Sequence, residues 1–238
     1  MTVLGVIPAR GGSKGIPRKN LAPLAGRSLL AWTAEAVRGS SRLTRTIVST
    51  EDEDIAAAAR ALGLEVPFLR PPSLAADDTP MVDVLRNAVE TLRDAGGFDT
   101  DVVVLLQPTS PLRTSTHIDA AVGLLAESGA DSVVSVVEVP HQFNPVSVMK
   151  LEDGRLVPYA EGRTVTRRQD KPRLYSRNGP AVLVVRASCL VGQGSLFGND
   201  CRPFIMSERE SIDIDTAWDL ELAEWVLMRT WTSGEGRS

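Results

Sequence analysis

The sequence predicts an α/β fold in which helices cover both faces of a mostly parallel sheet. Short apolar runs, such as residues 3–7 and 102–106, alternate with stretches whose apolar residues recur at helical spacing. Such alternation is typical of a parallel sheet between helices. The run at 102–106 is apolar at every position, as expected for a central strand buried on both faces. No internal repeat or long linker divides the 238 residues, so residues 1–238 are expected to form a single domain.

The individual elements follow from these patterns in chain order. Apolar runs without helical periodicity predict strands at residues 3–7, 46–49, 102–106 and 132–137. Helical spacing predicts helices around residues 28–38, 55–62, 82–92, 118–125 and 216–229. The sequence Asp77-Asp78-Thr79-Pro80 is a typical start signal for the third of these helices.

The pattern changes between residues 138 and 177, which predict an arm attached to the main sheet. Helical periodicity disappears there, and extended pieces such as residues 146–149 are separated by turns such as Glu152-Asp153-Gly154. Residues 180–185 return to the core. The Gly/Ser-rich tail, residues 231–238, is expected to be disordered.

The composition narrows the class of protein. The 26 Lys and Arg against 30 Asp and Glu give a net charge of −4, which argues against general binding to nucleic acid or to an anionic membrane. The apolar runs are too short to span a bilayer, and Pro8 and Arg10 interrupt any signal-peptide core. Two cysteines, Cys189 and Cys201, imply no disulfide framework and fit a reducing compartment. A cytoplasmic location is therefore expected.

Residues 8–20, Pro-Ala-Arg-Gly-Gly-Ser-Lys-Gly-Ile-Pro-Arg-Lys-Asn, predict a phosphate-binding loop directly after the first strand. Its glycines and serine allow the backbone to approach a ligand closely, so that N–H groups can point at it. The loop adds four cations and no acidic residue: Arg10, Lys14, Arg18 and Lys19. It matches neither the Walker A motif nor the Gly-x-Gly-x-x-Gly fingerprint. The alternative interpretation is an ordinary flexible basic loop.

Three polar segments are expected to meet at one edge of the sheet. Ligands of open parallel α/β sheets bind beyond the carboxyl ends of the strands. Residues 8–20, 49–51 and 107–111 each follow a predicted strand at that end. Their convergence predicts a binding crevice.

Asp213 and Asp215 form a candidate metal site. In an extended segment, residues two positions apart project to the same side, while Ile212 and Ile214 point the other way into the core. Two adjacent carboxylates repel each other unless a cation lies between them, and Mg²⁺ binds one or two carboxylates together with substrate phosphates. The alternative is that Asp215 caps the following helix.

A second cationic cluster lies in the arm. Its members are Arg163, Arg167, Arg168, Lys171, Arg173 and Arg177, with only Asp170 against them. Arginine forks suit an anionic acceptor or a triphosphate, and we assign this role to Arg168 and Arg177. The alternative is a solvated arm or one that pairs with a partner subunit. His117 and His141 are isolated, and we expect them at the surface or at a helix start rather than in a zinc or acid–base role.

Several motifs together resemble the CMP-sialic acid synthetases, which are acylneuraminate cytidylyltransferases. The resemblance covers roughly residues 3–228, with all of its motifs in the family's order. The motifs are residues 7–15 with Lys19-Asn20-Leu21, residues 106–113, Asn178-Gly179 and Asp213-Ile214-Asp215.

The resemblance implies a Rossmann-like three-layer α/β/α nucleotidyltransferase fold with a protruding arm. It also implies an enzyme that uses CTP and Mg²⁺, releases pyrophosphate and forms a CMP ester. Family members are commonly homodimers in which an arm borders the neighbour's acceptor site, and residues 138–177 occupy that place here.

The resemblance also implies roles for individual residues. The triphosphate would be held by Arg10, Gly11, Gly12, Ser13 and Lys19, with Lys19 near the α-phosphate. Asn20 and Gln107 would contact the ribose, Arg70 would help to read cytosine, and Asp213 and Asp215 would bind Mg²⁺. Arg10, Lys19 and the two aspartates would be catalytic. The acceptor contacts implied by motif or by charge are Gln107, Thr109, Arg168, Arg177 and Asn178.

The acceptor half departs from the family pattern. The family usually follows Asn-Gly with Ala-Ile-Tyr, whereas this chain has Pro180-Ala181-Val182-Leu183. A sialic-acid-like nonulosonate is the expected acceptor. A small phosphonate such as phosphonoformate is the alternative acceptor, and a nucleotide-binding sensor without catalysis is an alternative from a different class.

Overall fold

A mixed sheet of seven strands forms the centre of the computed structural model, which describes residues 1–160 and 167–232. The strands are β1 Val3–Pro8, β2 Pro23–Leu24, β3 Arg27–Ser28, β4 Arg45–Ser49, β5 Val102–Leu105, β6 Ser132–Glu138, β7 Met149–Glu152, β8 Arg155–Pro158, β9 Tyr175–Arg177, β10 Leu183–Arg186 and β11 Cys201–Ile205. The helices are α1 Leu29–Gly39, α2 Glu53–Ala61, α3 Met81–Gly96, α4 Ser115–Ser128 and α5 Ala217–Thr232.

The strand order of the main sheet is β11-β6-β10-β5-β1-β4, with β9 also paired to β6. Strands β4, β1 and β5 run parallel to one another, and β11 runs parallel to β6. Strand β10 is antiparallel to both β5 and β6, and β9 is antiparallel to β6. The predicted mostly parallel sheet is confirmed, with β5 as a fully buried inner strand.

Two apolar layers cover the sheet. On one face, α1, α2 and α4 pack through residues such as Leu30, Ile55 and Ile118. On the other face, α3 packs together with a short π-helical segment, Ser188–Gln193. The three-layer α/β/α architecture predicted from the sequence is therefore confirmed. A third cluster joins α5 to α1 around Trp32 and the segment that contains Ile214.

Some local predictions were wrong or incomplete. Residues 146 and 147 lie in a turn, and the strand predicted at 146–149 begins only at Met149. Helix α5 runs to Thr232, so residues 231 and 232 are helical rather than part of a disordered tail. Residues 233–238 lie outside the described residues. The β2–β3 and β7–β8 hairpins turn at Ala25-Gly26 and Asp153-Gly154, and both residues of each turn have positive φ.

No helix in residues 1–160 and 167–232 is both long enough and apolar enough to cross a membrane. Within the same residues, Cys189 is buried and Cys201 is exposed, and neither forms a disulfide. The prediction that the cysteines form no disulfide framework is therefore confirmed for the described part of the chain.

Candidate active site

A cavity of about 310 Å³ opens where β1 and β5 end. Two of the three segments predicted to converge, residues 8–20 and 107–111, line the cavity. The third, residues 49–51, does not line it and contacts the glycine loop through Glu51. Asp215, from the region before α5, also lines the cavity. The lining residues are Pro8, Arg10, Ser13, Lys14, Gly15, Lys19, Asn20, Arg70, Met81, Gln107, Pro108, Thr109 and Asp215.

Close approach of other groups explains two of the glycines in the loop. A Cβ at Gly11 would lie 2.3 Å from a carboxylate oxygen of Asp52, and a Cβ at Gly15 would lie 2.3 Å from the carbonyl oxygen of Asp215. Any side chain there would displace the loop. A Cβ at Gly12 would meet no other atom within 4 Å in the described residues, so packing does not require a glycine at this position.

Two loop cations are bridged by an aspartate that sequence reasoning did not assign to the site. Arg10 Nη1 lies 2.5 Å from Asp77 Oδ1, and Lys14 Nζ lies 2.6 Å from Asp77 Oδ2. Hydrogen bonds from Lys14 and Arg10 hold the pKa of Asp77 below its usual value. The sequence had suggested only a helix-start role for this segment. The Asp77 carboxylate thus occupies the positions around these cations that an anionic ligand would take.

Lys19 and Asn20 fix the far end of the loop. Lys19 Nζ donates to the carbonyl oxygen of Ile214 and to Asp215 Oδ1, both at 2.8 Å. The Lys19 side chain is only 16% exposed, so its charge is held at the cavity wall. The buried Asn20 donates from Nδ2 to the main-chain carbonyl of Arg10 at 2.9 Å. Its contact with a ribose stays a prediction.

Asp213 and Asp215 differ sharply in environment. Burial raises the pKa of Asp213, and the nearby Asp215 charge raises it further, while a hydrogen bond with Thr109 and the charge of Lys19 oppose the rise. Asp213 Oδ1 is buried and makes no hydrogen bond within the described residues. The Asp215 side chain is 72% exposed and pairs with Lys19. Of these two carboxylates, Asp215 has an ion pair in the described residues and Asp213 does not.

The suggested cap role of Asp215 was wrong. The N–H of Asp219 donates to Thr216 Oγ1 at 3.3 Å, and the N–H of Thr216 donates to Asp219 Oδ2 at 2.7 Å. This reciprocal pair closes the start of α5 in the manner of a capping box. The Asp215 carboxylate is thus available for Lys19 and for a ligand.

The two carboxylates fit a hard divalent cation. Their oxygens are the donors that Mg²⁺ prefers, and the buried Asp213 Oδ1 lacks a protein partner in the described residues. No group of three or more His, Cys, Asp or Glu side chains in the described part of the chain could hold a metal. An ion at Asp213 and Asp215 would therefore take further oxygen ligands from substrate and water.

Gln107 is positioned by its neighbours on both sides. The side-chain Nε2 of Gln107 donates to the carbonyl oxygen of Gly179 at 2.8 Å, and the main-chain carbonyl of Gln107 accepts from Arg113 Nη1 at 3.0 Å. Arg113 is 1% exposed and also donates to the carbonyl of Ala181. Gly179 has φ +112°, and a Cβ there would lie 3.1 Å from Asp213 Cγ. The Asn-Gly motif thus allows the chain to pass close to the Asp213 carboxylate.

Other predicted acceptor residues lie away from this cavity. Asn178 is buried, accepts from Ser135 Oγ at 2.6 Å and donates to Ser211 Oγ at 2.9 Å, so its amide joins the sheet to the segment before α5. The Arg177 guanidinium stacks on the ring of Phe197, with its carbon 5.0 Å from the ring centroid. Neither residue lines the cavity with Lys19, and their acceptor roles stay predictions.

Arg168 lines a second, more open cavity of about 970 Å³, together with Lys171, Arg173 and His141. This cavity lies between the arm and residues 205–208. Lys171 donates to the carbonyl of His141 and to Ser147, which ties the arm together. Arg163, a further member of the predicted cationic cluster, lies outside the described residues. Gln107 and Thr109 are thus the predicted acceptor residues that share the first cavity with Lys19.

His117 has a structural role at the start of α4, and His141 is exposed, as predicted. His117 is the third residue of α4, and its Nδ1 accepts from the N–H of Thr114 while its N–H donates to Thr114 Oγ1. Its Nε2 lies 3.2 Å from Glu210 Oε1. The prediction of a helix-start role for His117 is confirmed.

Buried polar atoms without partners in the described residues occur on α3 and elsewhere, and some of them lie near the carboxyl ends of the strands. They include Arg70 Nε, Ser49 Oγ, Ser110 Oγ and Asp213 Oδ1. A buried polar group without a hydrogen bond is costly, which favours its use by a ligand. Sequence reasoning had placed Ser49 and Ser110 at strand ends but had given them no role.

Comparisons with known proteins agree with this site. The family model described as Cytidylyltransferase matches residues 4–194. The CMP-N,N'-diacetyllegionaminic acid synthase of Legionella pneumophila is 35% identical over 228 residues, which cover 94% of this chain and 95% of the relative. The N-acylneuraminate cytidylyltransferase of Escherichia coli is 32% identical over 222 residues, covering 93% of this chain and 51% of the relative. This chain therefore spans about half the length of the E. coli protein.

A solved structure shares the fold. The CMP:2-keto-3-deoxy-manno-octonic acid synthetase complexed with CTP aligns with a TM-score of 0.73 at 17% identity, covering 96% of this chain and 99% of that one. At this identity the likeness shows the fold alone. The family match and the sequence relatives carry the assignment further. The chain therefore belongs to the cytidylyltransferase family, in its CMP-sialic acid synthetase branch, and is a nucleotidyltransferase.

Proposed function

We propose that this protein transfers CMP from CTP to a hydroxyl group of an acidic, sialic-acid-like nonulosonate and releases pyrophosphate. The observation that carries the proposal is that one cavity at the strand ends is lined by the glycine loop together with Lys19, Gln107 and Asp215. The names of the relatives point to the same chemistry, since both the Legionella and the E. coli proteins are named for acidic nonulosonate sugars.

Each of the proposed residues acts at a different part of the CTP molecule. The acceptor hydroxyl oxygen bonds to the α-phosphorus of CTP and releases its proton to solvent, while the bond from that phosphorus to the bridging oxygen of the pyrophosphate breaks. Lys19 lies next to Asp215 and neutralises charge at the α-phosphate, while Arg10 and Ser13 bind the departing phosphates. The N–H groups of the glycine loop supply further donors to these oxygens.

We also propose that Mg²⁺ is held by Asp213 and Asp215. When bound, the ion neutralises negative charge on the triphosphate. Asp213 offers the buried oxygen that lacks a protein partner in the described residues, and Asp215 offers an exposed one.

Asn20 and Gln107 are proposed to contact the ribose, and Arg70 the cytosine. A cytoplasmic location is proposed because the two free cysteines fit a reducing compartment.

The acceptor is tested by measuring pyrophosphate release with CTP, Mg²⁺ and a panel of acids. The panel contains N-acetylneuraminate, N,N'-diacetyllegionaminate, 2-keto-3-deoxy-manno-octonate and phosphonoformate, with a reaction lacking acceptor and a reaction with UTP as controls. We expect turnover with at least one nonulosonate and none without acceptor. Turnover with phosphonoformate alone would reject the nonulosonate in favour of the phosphonate. CTP binding without turnover on any acceptor would favour the sensor.

A homodimer is proposed from the exposure of the arm. The β7–β8 hairpin pairs only with itself in the described residues, and its Leu151 and Leu156 side chains are 74% and 68% exposed. An isolated two-stranded hairpin is marginally stable in water, so a partner surface would stabilise it. Sedimentation equilibrium of the full chain is expected to give twice the 25.6 kDa chain mass, and a monomer at micromolar concentration would contradict the proposal.

A further inference from the structure

One carboxylate joins two parts of the cavity wall that are far apart in sequence. Glu51 Oε1 accepts from the N–H of Gly11 at 2.8 Å, and Glu51 Oε2 accepts from Arg70 Nη2 at 2.6 Å. The Glu51 side chain is 18% exposed and that of Arg70 is 3% exposed. Both contacts are therefore shielded from water. Charge-assisted hydrogen bonds are stronger in such a protected environment than in water.

The turn that contains Glu51 holds the glycine loop at more than one point. Gly11 lies close to the Asp52 side chain, because a Cβ added at Gly11 would meet the Asp52 carboxylate. At the other end of the loop, Arg18 Nη2 lies 3.0 Å from Asp54 Oδ2 and 3.6 Å from Asp52 Oδ1. The loop is thus held against the β4–α2 turn. Within that turn, the Glu51 side chain contacts both the loop and Arg70.

Arg70 is fixed by the same turn through its backbone and its side chain. Its N–H donates to the carbonyl of Thr50 at 2.8 Å, in addition to the contact with Glu51. Its Nε is buried without a partner in the described residues, and Arg70 lines the cavity beside Ser13 and Lys19. A displacement of Gly11 would therefore be passed through Glu51 to a guanidinium that faces the ligand.

We propose that Glu51 is a positioning residue that couples recognition of the base by Arg70 to binding of the triphosphate by the glycine loop. This inference rests on the proposed function, in which both parts bind one CTP. When the β- and γ-phosphates order the loop, the Gly11 N–H holds Glu51 in place, and Glu51 orients Arg70. The two ends of the nucleotide then bind cooperatively, although they touch different residues.

The test measures cooperativity directly, without catalysis. Isothermal titration calorimetry gives the dissociation constants of CTP, CMP, UTP and UMP for the full chain. In the wild type, the dissociation constant is expected to rise more from CTP to CMP than from UTP to UMP. The two rises are expected to differ by about fivefold or more. In Glu51→Gln one oxygen becomes an NH₂ group that accepts from neither partner, so one contact is lost. The two losses are then expected to agree within about twofold, which is below the typical coupling range.

The controls separate positioning from folding. Glu53→Gln changes an exposed glutamate in the first turn of α2 and is expected to keep the wild-type cooperativity. Glu51→Asp, whose shorter side chain spans only one of the two contacts, repeats the test if Glu51→Gln does not fold. Equal cooperativity in the wild type and either Glu51 variant would overturn the inference, as would additive binding in the wild type. Failure of the wild type to bind CTP at all would overturn the proposed function as well.

Discussion

Replacing Asp213 by asparagine is expected to lower kcat/KM by about 10²–10³-fold while making the metal-free protein more stable. The loss of activity follows because an amide replaces the buried carboxylate of the proposed Mg²⁺ site, and such electrostatic groups typically contribute factors of this size. The gain in stability follows because folding removes the Asp213 carboxylate from water and leaves Oδ1 without a hydrogen bond in the described residues.

The direction of the pH effect is also fixed. Burial raises the pKa of Asp213 above its unfolded value, so the folded protein binds this proton more tightly than the unfolded chain. The wild type therefore loses stability as pH rises through the folded pKa, whereas Asp213→Asn does not. Calorimetric unfolding in EDTA is expected to show the variant about 0.5–2 kcal/mol more stable at neutral pH, with the difference vanishing in acid.

Asp215→Asn is the matched control for this prediction. Asp215 is exposed and paired with Lys19, so its replacement removes a favourable ion pair and relieves no burial. It should impair turnover without raising the unfolding temperature. Unchanged product formation by Asp213→Asn would exclude the proposed metal role, and a lower stability at neutral pH would exclude the account of its burial.

Replacing Arg113 by methionine is expected to lower the free energy of unfolding by about 3–5 kcal/mol, because several buried hydrogen bonds from a charged donor are lost together. The Arg113 guanidinium donates to the carbonyls of Gln107 and Ala181 and to Thr33 Oγ1. Methionine would fill much of the volume but would remove the donor of the Ala181 carbonyl and of Thr33 Oγ1, while the Gln107 carbonyl would keep only the N–H of Ser110 at 3.3 Å.

Chemical denaturation with urea measures this effect. Arg38→Met is the control, because Arg38 is exposed and donates only within its own helix among the contacts that the structure describes, and we expect it to change stability by less than about 0.5 kcal/mol. Arg113→Lys keeps the charge but lacks the fork that reaches several acceptors, so an intermediate loss is expected. A change below about 1 kcal/mol in Arg113→Met would show that the loop of residues 107–113 is held by other contacts.

The sequence predicted the fold where local pattern and burial agree. β1 and β5 are continuous apolar runs, and the three helices that follow β1, β4 and β5 have clear apolar stripes. The orientation of β10 was not predictable, because an apolar run carries no information about strand direction. β11 was missed because its residues are mostly exposed and Pro203 interrupts the apolar pattern.

The same contrast applies to the site. The glycine loop and the Asp213–Asp215 pair are dense local motifs. The predicted position of the loop at the sheet edge is confirmed, and Asp215 lines the same cavity. Glu51, Asp77 and Arg113 were not assigned to the site because their partners are distant in sequence. Glu51 meets Gly11 across 40 residues, and Arg113 meets Ala181 across 68 residues. Only the folded chain shows that these carboxylate and guanidinium groups meet the motifs.

The Asp77 bridge bears on how ionic strength affects this protein. Arg10 and Lys14 share one internal carboxylate, which offsets one of their two positive charges, so an incoming triphosphate meets a partly compensated pair rather than two bare cations. The positive charge that dissolved ions can screen at this loop is therefore smaller than its cations alone would give. Nucleotide binding at this loop should therefore decline with added salt less steeply than the four cations of residues 8–20 alone would suggest.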